Sequence, residues 1–234
     1  MIGVKVLDRI PFELDIAALF KRMRMEPDGE CAAEIRAVAG KAAPAARPKA
    51  LYDVAFIEER GEDWIRLGST RFTSRMLRSN LDGIDRVFPY VATCGAELDQ
   101  IPVAADDLLG QFCRDTIKEM ALAAARKHLT AHVKHAYGLR RVSSMNPGSG
   151  DRQLWPIEQQ RPLFDLLGDV KTRIGVELTP TFLMLPNKSV SGIFYPAETD
   201  FTTCQLCHRP ACSNRRAPFD QSLWDKKQGT APTP

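Results

Sequence analysis

One stretch constrains this chain more than any other. From about Asp106 to Tyr137 there is no proline and a single glycine, Gly110. Leu109, Phe112, Thr116, Met120 and Ala124 recur at helical spacing, and Leu122, Leu129, Val133 and Ala136 extend an apolar face. At 1.5 Å per residue this predicts a rod of about 48 Å.

The segments on either side are short and mixed. GVKVLDRIPFEL reads as a strand, and DIAALFKRMRM after it as a short helix capped by Asp15. GKAAPAARP, residues 40–48, is small, basic and broken by proline, the pattern of an exposed connection. ALYDVAFIEERGEDWIRL predicts two strands turning at Arg60–Gly61. A helix is expected over Ser74–Leu81, then a buried strand in RVFPYVATCGAEL ending at Gly95. Beyond the long helix come the loop SSMNPGSGDRQLWP, a helix over Glu158–Ile174, and two short strands in FLMLPNKSVSGIFYP around a Pro–Asn turn. The end of the chain has no sustained period and is expected to fray. Helices and antiparallel hairpins follow one another with no internal repeat and no regular β–α–β alternation, which predicts an α+β fold.

With 32 basic against 29 acidic residues, the net charge of +3 gives no strong field for a polyanion, so nucleic acid is not expected as a partner. The N-terminal MIGVKVLDRIPFELD is charged throughout and is not a secretory signal. No segment approaches the about 18 apolar residues of a membrane helix, so no membrane is expected. A cytoplasmic protein is the expectation, and in that reducing compartment its six cysteines are thiols or metal ligands rather than disulfides.

Three of those cysteines and a histidine fall together in CQLCHRPAC. Cys204 and Cys207, spaced C-x-x-C, present two soft donors from one turn; Cys212 folds back past Pro210; His208 is a fourth candidate, although it adjoins Cys207. Arg209, Arg215 and Arg216 would offset the charge of a thiolate-bound zinc or iron–sulfur centre. CQLCH also matches the c-type haem pattern, a chemistry of exported proteins, and the plainest alternative is a loop with three thiols. Cys94, at the end of an apolar strand, is more simply a small buried hydrophobe than a displayed nucleophile. Cys31 and Cys113 read as structural. His128, His132 and His135 share one helix face, yet Arg126, Lys127 and Lys134 around them favour a basic, solvated surface over a zinc site. NPGSGD (146–151) has glycines that let backbone N–H groups approach a ligand, without the lysine or spacing of a P-loop.

The stretch MNPGSGDRQLWP…IGVELT…FLMLP…SVSGIFY, residues 145–195, resembles the reactivation domain of cobalamin-dependent methionine synthase, and more closely the stand-alone proteins that carry it. The long alanine-rich helix, the VATCG strand end and the C-terminal cysteine motif suit that branch. The resemblance covers about 85–215, most strongly 145–195. It implies a twisted antiparallel sheet flanked by helices, with 1–84 packing on an activation-domain-like portion 85–216 and a flexible tail 217–234. It further implies a groove that binds S-adenosylmethionine and caps a corrinoid during reductive reactivation, carried here by Asn146, Pro147, Gly148, Ser149, Ser189, Ser191 and Gly192. Against S-adenosylmethionine itself, Ser144 stands where the family has a carboxylate-binding arginine three residues before its proline. Ser149 replaces the loop aromatic, and the glutamate the family carries on the preceding helix is not matched at Ala123.

The expected role is an accessory protein of corrinoid methyl transfer, docking on a corrinoid protein or corrinoid methyltransferase. The cofactors are cobalamin on that partner and zinc or an iron–sulfur cluster on the C-terminal cysteines. The rivals are a non-catalytic binding module stapled by zinc, and an S-adenosylmethionine-dependent methyltransferase.

Overall fold

In the computed structural model, which describes residues 3–150, 154–197, 203–212, 215 and 217–228, the segment RVFPYVAT (86–93) is buried at every position after Arg86. An apolar run of this kind belongs to a strand covered on both faces. In chain order the elements are β1 (Lys5–Leu7), α1 (Ile16–Met23), α2 (Ala32–Ala45), β2 (Lys49–Tyr52), β3 (Ala55–Arg60), β4 (Trp64–Leu67), β5 (Thr70–Thr73), α3 (Arg75–Asn80), β6 (Arg86–Thr93) and α4 (Leu108–Ala136). There follow β7 (Val142–Met145), α5 (Gln160–Leu167), α6 (Val170–Ile174), β8 (Glu177–Leu178), β9 (Met184–Leu185), β10 (Ser189–Pro196) and α7 (Gln221–Gln228).

Eight of the described strands form one sheet, ordered β1-β2-β6-β3-β4-β5, with β10 and then β7 joined to β6; the strand pairs are antiparallel. β6 is its axis. β2 and β3 share one edge of β6, with Leu51 opposite Val91 and Ala55 opposite Val87, while β10 takes the other edge, with Ser191 opposite Val91. Because successive strand side chains point to opposite faces, the sheet feeds two cores. Leu51, Val91, Ile193 and Tyr195 meet α3, α5, α6 and Trp155. Tyr52, Phe88, Tyr90 and Phe194 meet Ala125, Leu129 and Val133 of α4. The first half of α4 leaves the sheet and packs on α1 and α2 through Cys113, Ile117 and Ala121. The structure is therefore the α+β fold expected, an antiparallel sheet flanked by helices, with the rod spanning it.

The caps follow the sequence closely: Asp15 accepts from the Ala18 amide (3.0 Å), Ser74 from Leu77 (2.9 Å) and Asp107 from Gly110 (2.7 Å). Three expectations need correction. Residues 40–45 are helical rather than an exposed connection: Ala39 and Ala42 are buried in the cluster with α4, and Pro44 falls in the last turn, where the broken ladder matters least. The helix over 158–174 is two helices, parted at Gly168 (φ 74°), after which Asp169 caps α6 by accepting from Thr172. The segment 217–234 holds α7, anchored because Leu223 and Trp224 pack against the core. No described helix is long and apolar enough to cross a membrane.

Candidate functional site

β7 lies beside β10, with Met145 opposite Ile193, and where β7 ends the chain turns through Asn146–Gly150. Asn146 is buried in that turn. Its Nδ2 donates to the Tyr90 hydroxyl and to the Ser191 carbonyl, both at 2.7 Å. Gly192 makes this approach possible: a Cβ there would meet Asn146 Nδ2 and lie 2.5 Å from the Met145 carbonyl. Ser191 Oγ donates to Gln160 Oε1 (3.2 Å), and Gln160 Nε2 donates to the Phe182 carbonyl (3.1 Å). Gly148 adopts φ 74°, donates to the Trp155 carbonyl (2.8 Å), and packs so tightly that a Cβ would stand 2.9 Å from Ile157. Loop, strand and α5 are thus locked together by polar contacts beneath a groove.

Two hollows open on that loop. The smaller, about 220 Å³, is lined by Asn146, Pro147, Gly148, Ser149, Ser191 and Met184, among others. The larger, about 790 Å³, takes Gly148, Ser149 and Gly150 as one wall, Glu119, Leu122, Ala123 and Arg126 of α4 as another, and the chain's C-terminal stretch as a third. The α4 residues recur at helical intervals and so share one face. Arg126 borders both hollows. The turn at Asn187 and Lys188 is fastened to α4: buried Lys118 donates to Asp99 (2.5 Å) and Asn187 (2.6 Å), and Lys188 pairs with Glu119 (3.1 Å) and Asp115 (3.6 Å). Burial works against the Lys188 ammonium, yet the Glu119 and Asp115 carboxylates hold it above its ordinary range.

The sequence-derived site residues divide by role. Pro147, Gly148 and Ser149 face the hollows; Asn146 and Ser191 reach the smaller one but spend their polar groups on the protein; Gly192 permits close approach; Ser189 lies 2.9 Å from Thr93 Oγ1 and 2.8 Å from the Pro186 carbonyl. Cys204, Cys207 and Cys212 all line the larger hollow. All six cysteines are outside disulfides. Nevertheless, among the described residues no three His, Cys, Asp or Glu side chains gather in a way that could hold a metal ion. The His208 ring packs against Phe219 and Trp224 (centroids 4.4 and 4.3 Å apart). The stretch is held instead by Arg215, whose guanidinium donates to the carbonyls of Cys204 (3.2 Å), Cys207 (3.3 Å), Ala217 (3.3 Å) and Arg209.

Elsewhere, His132 joins the Tyr52 hydroxyl (3.0 Å), and burial, then His128, Lys5 and His135, lower its pKa. Burial first, then Tyr137, raises the Tyr52 phenol. Cys94 and Cys113 are buried, which pushes their thiols up to about 12 and about 11. Arg126, Lys188 and Arg215 were not among the expected site residues; for Arg126 the signal lay in its spacing from Glu119, Leu122 and Ala123.

No family model and no curated protein sequence matches the chain. Among solved structures it is similar to the crystal structure of the MetH reactivation domain bound to AdoHcy, with a TM-score of 0.59 and 16% sequence identity over 86% of this chain and 81% of that one. The fold is therefore that of the reactivation domain.

Proposed function

We propose that this chain, built on the reactivation-domain fold, is an accessory protein of corrinoid-dependent methyl transfer, which docks on a corrinoid-bearing partner and supports its reductive reactivation. The observation that carries the reading is the similarity to the MetH reactivation domain over 86% of this chain and 81% of that one. The groove's chemistry agrees with it. Met184 lines the smaller hollow, and the leucines on either side of it in the chain, Leu183 and Leu185, are 61% and 51% exposed, apolar surface available to a partner. The corrinoid would supply the methyl-carrying metal. This chain's residues would supply a rigid floor, through the Asn146 and Gln160 hydrogen bonds, and cover against solvent.

Two finer parts of the reading fare differently. The MetH domain was solved with AdoHcy, but Ser144, which stands where the resemblance implies a carboxylate-binding arginine, sits in β7 opposite Phe194, its Oγ 3.5 Å from Asn146 Oδ1. A C-terminal zinc or iron–sulfur site draws support from the shared hollow of Cys204, Cys207 and Cys212. As placed, however, those thiols and His208 do not fit an ion without rearranging 204–212, so no step is derived through one. Iron and zinc analysis of anaerobically purified protein decides that part separately.

The main reading is tested by mixing the full chain with a cob(II)alamin-loaded corrinoid methyltransferase. Co-elution on size exclusion and a change in the cob(II)alamin spectrum are expected, both weakened by Leu183→Asp. No complex, or a complex indifferent to Leu183→Asp, would overturn it.

A further inference from the structure

Among the described residues, the lining of the larger hollow is mainly basic. Of the described residues, five basic side chains line it, Arg22, Arg126, Lys188, Arg209 and Arg215, against one carboxylate, Glu119, which is already engaged by Lys188. None of the four guanidinium groups has a carboxylate partner among the described residues. Arg215 spends its donors on backbone carbonyls, and the side chains of Arg22, Arg209 and Arg126 make no hydrogen bond there at all. Arg126 is the most pointed case: its Nε is shielded from solvent without a partner among the described residues, at the seam of both hollows. A buried donor left unpaired is costly, and like charges around a cavity repel. The arrangement makes sense when a counter-charge arrives from outside.

We infer that this cavity binds a ligand bearing a phosphoryl group. A carboxylate is saturated by one guanidinium fork, whereas a phosphomonoester presents three outer oxygens and up to two charges, and a phosphodiester presents two outer oxygens splayed tetrahedrally with one charge, so either can engage arginines from separate segments. Here they come from α1, α4 and the 209–215 stretch. Ser149 adds a hydroxyl from the glycine loop, while Leu122 and Ala123 give an apolar wall for an organic body. A volume of about 790 Å³ accommodates a nucleotide-sized molecule. The phosphoryl group has two natural sources, a free nucleotide or the phosphodiester tail of a corrinoid. The first does not depend on the functional reading above.

The test is calorimetric titration of the full chain with adenosine monophosphate against adenosine, and with cobalamin against cobinamide, which lacks the phosphodiester tail. S-adenosylhomocysteine serves as a carboxylate-bearing control. Binding of the phosphorylated member of either pair at least tenfold more tightly than its counterpart is expected, weakening as salt rises and lost at least tenfold in Arg126→Gln. That side chain bonds nothing among the described residues, so the variant should fold, with circular dichroism as the check. Preference for adenosine monophosphate identifies a free nucleotide, and preference for cobalamin identifies the corrinoid tail. Equal affinity within both pairs, binding of S-adenosylhomocysteine alone, or an Arg126→Gln variant that binds as the native chain does would overturn the inference.

Discussion

Gly192 works by what it lacks. Asn146 reaches across β10 to the Ser191 carbonyl only because no side chain stands in the way. Gly192→Ala should therefore lose about 1–3 kcal/mol of stability by overpacking, measured as a lower denaturation midpoint, whereas a glycine that merely relieved the backbone would cost less. Cys94 and Cys113 give a second prediction at this scale. Their thiols are raised by burial to about 12 and about 11, so at pH 8 both stay protonated in the folded chain. Native alkylation followed by peptide mapping should label exposed Cys212 and spare these two. The sign for stability follows: a folded pKa above the ordinary 9.0 leaves the contribution intact below that pH and removes it as pH climbs toward the folded values. The unfolding midpoint should fall above about pH 9.

At the scale of elements, periodicity made the long helix legible almost to the residue, because Asp107 caps it and its apolar spacing is unbroken. The strands of β6 and β10 were equally plain. Lost were the elements whose identity rests on packing. Ala39 and Ala42 carry no strong pattern, and only contact with α4 turns them into a helix that tolerates Pro44. The C-terminal helix has a polar sequence and exists because Leu223 and Trp224 find the core and Trp224 meets His208 edge-on. Trp224→Ala should accordingly cost about 2 kcal/mol, less than a fully buried tryptophan, and raise hydrogen exchange across 221–228. The loop residues named from the sequence lie together at the hollows, but periods and motifs are blind to where α4 presents Arg126. The basic lining of the larger hollow becomes visible only once three distant segments are folded together.

For the whole molecule, one wall of the larger hollow is made by residues that follow the sheet in the chain, Cys204, Cys207, Arg209, Cys212 and Arg215. Leu206 is fully buried in the same core as β10 and α5, so this stretch is integral to the fold. Truncation before residue 203 should lower the melting temperature while leaving a cooperative transition from the sheet and α4, and should abolish whatever the hollow binds. The shape of that wall depends on nitrogen rather than sulfur: a single guanidinium gathers four carbonyls as a hub gathers spokes. The exposed Cys212 thiol beside it is consequently a spare part mechanically, to be traded for serine with the scaffold left standing, while loss of the Arg215 fork should let the rim open.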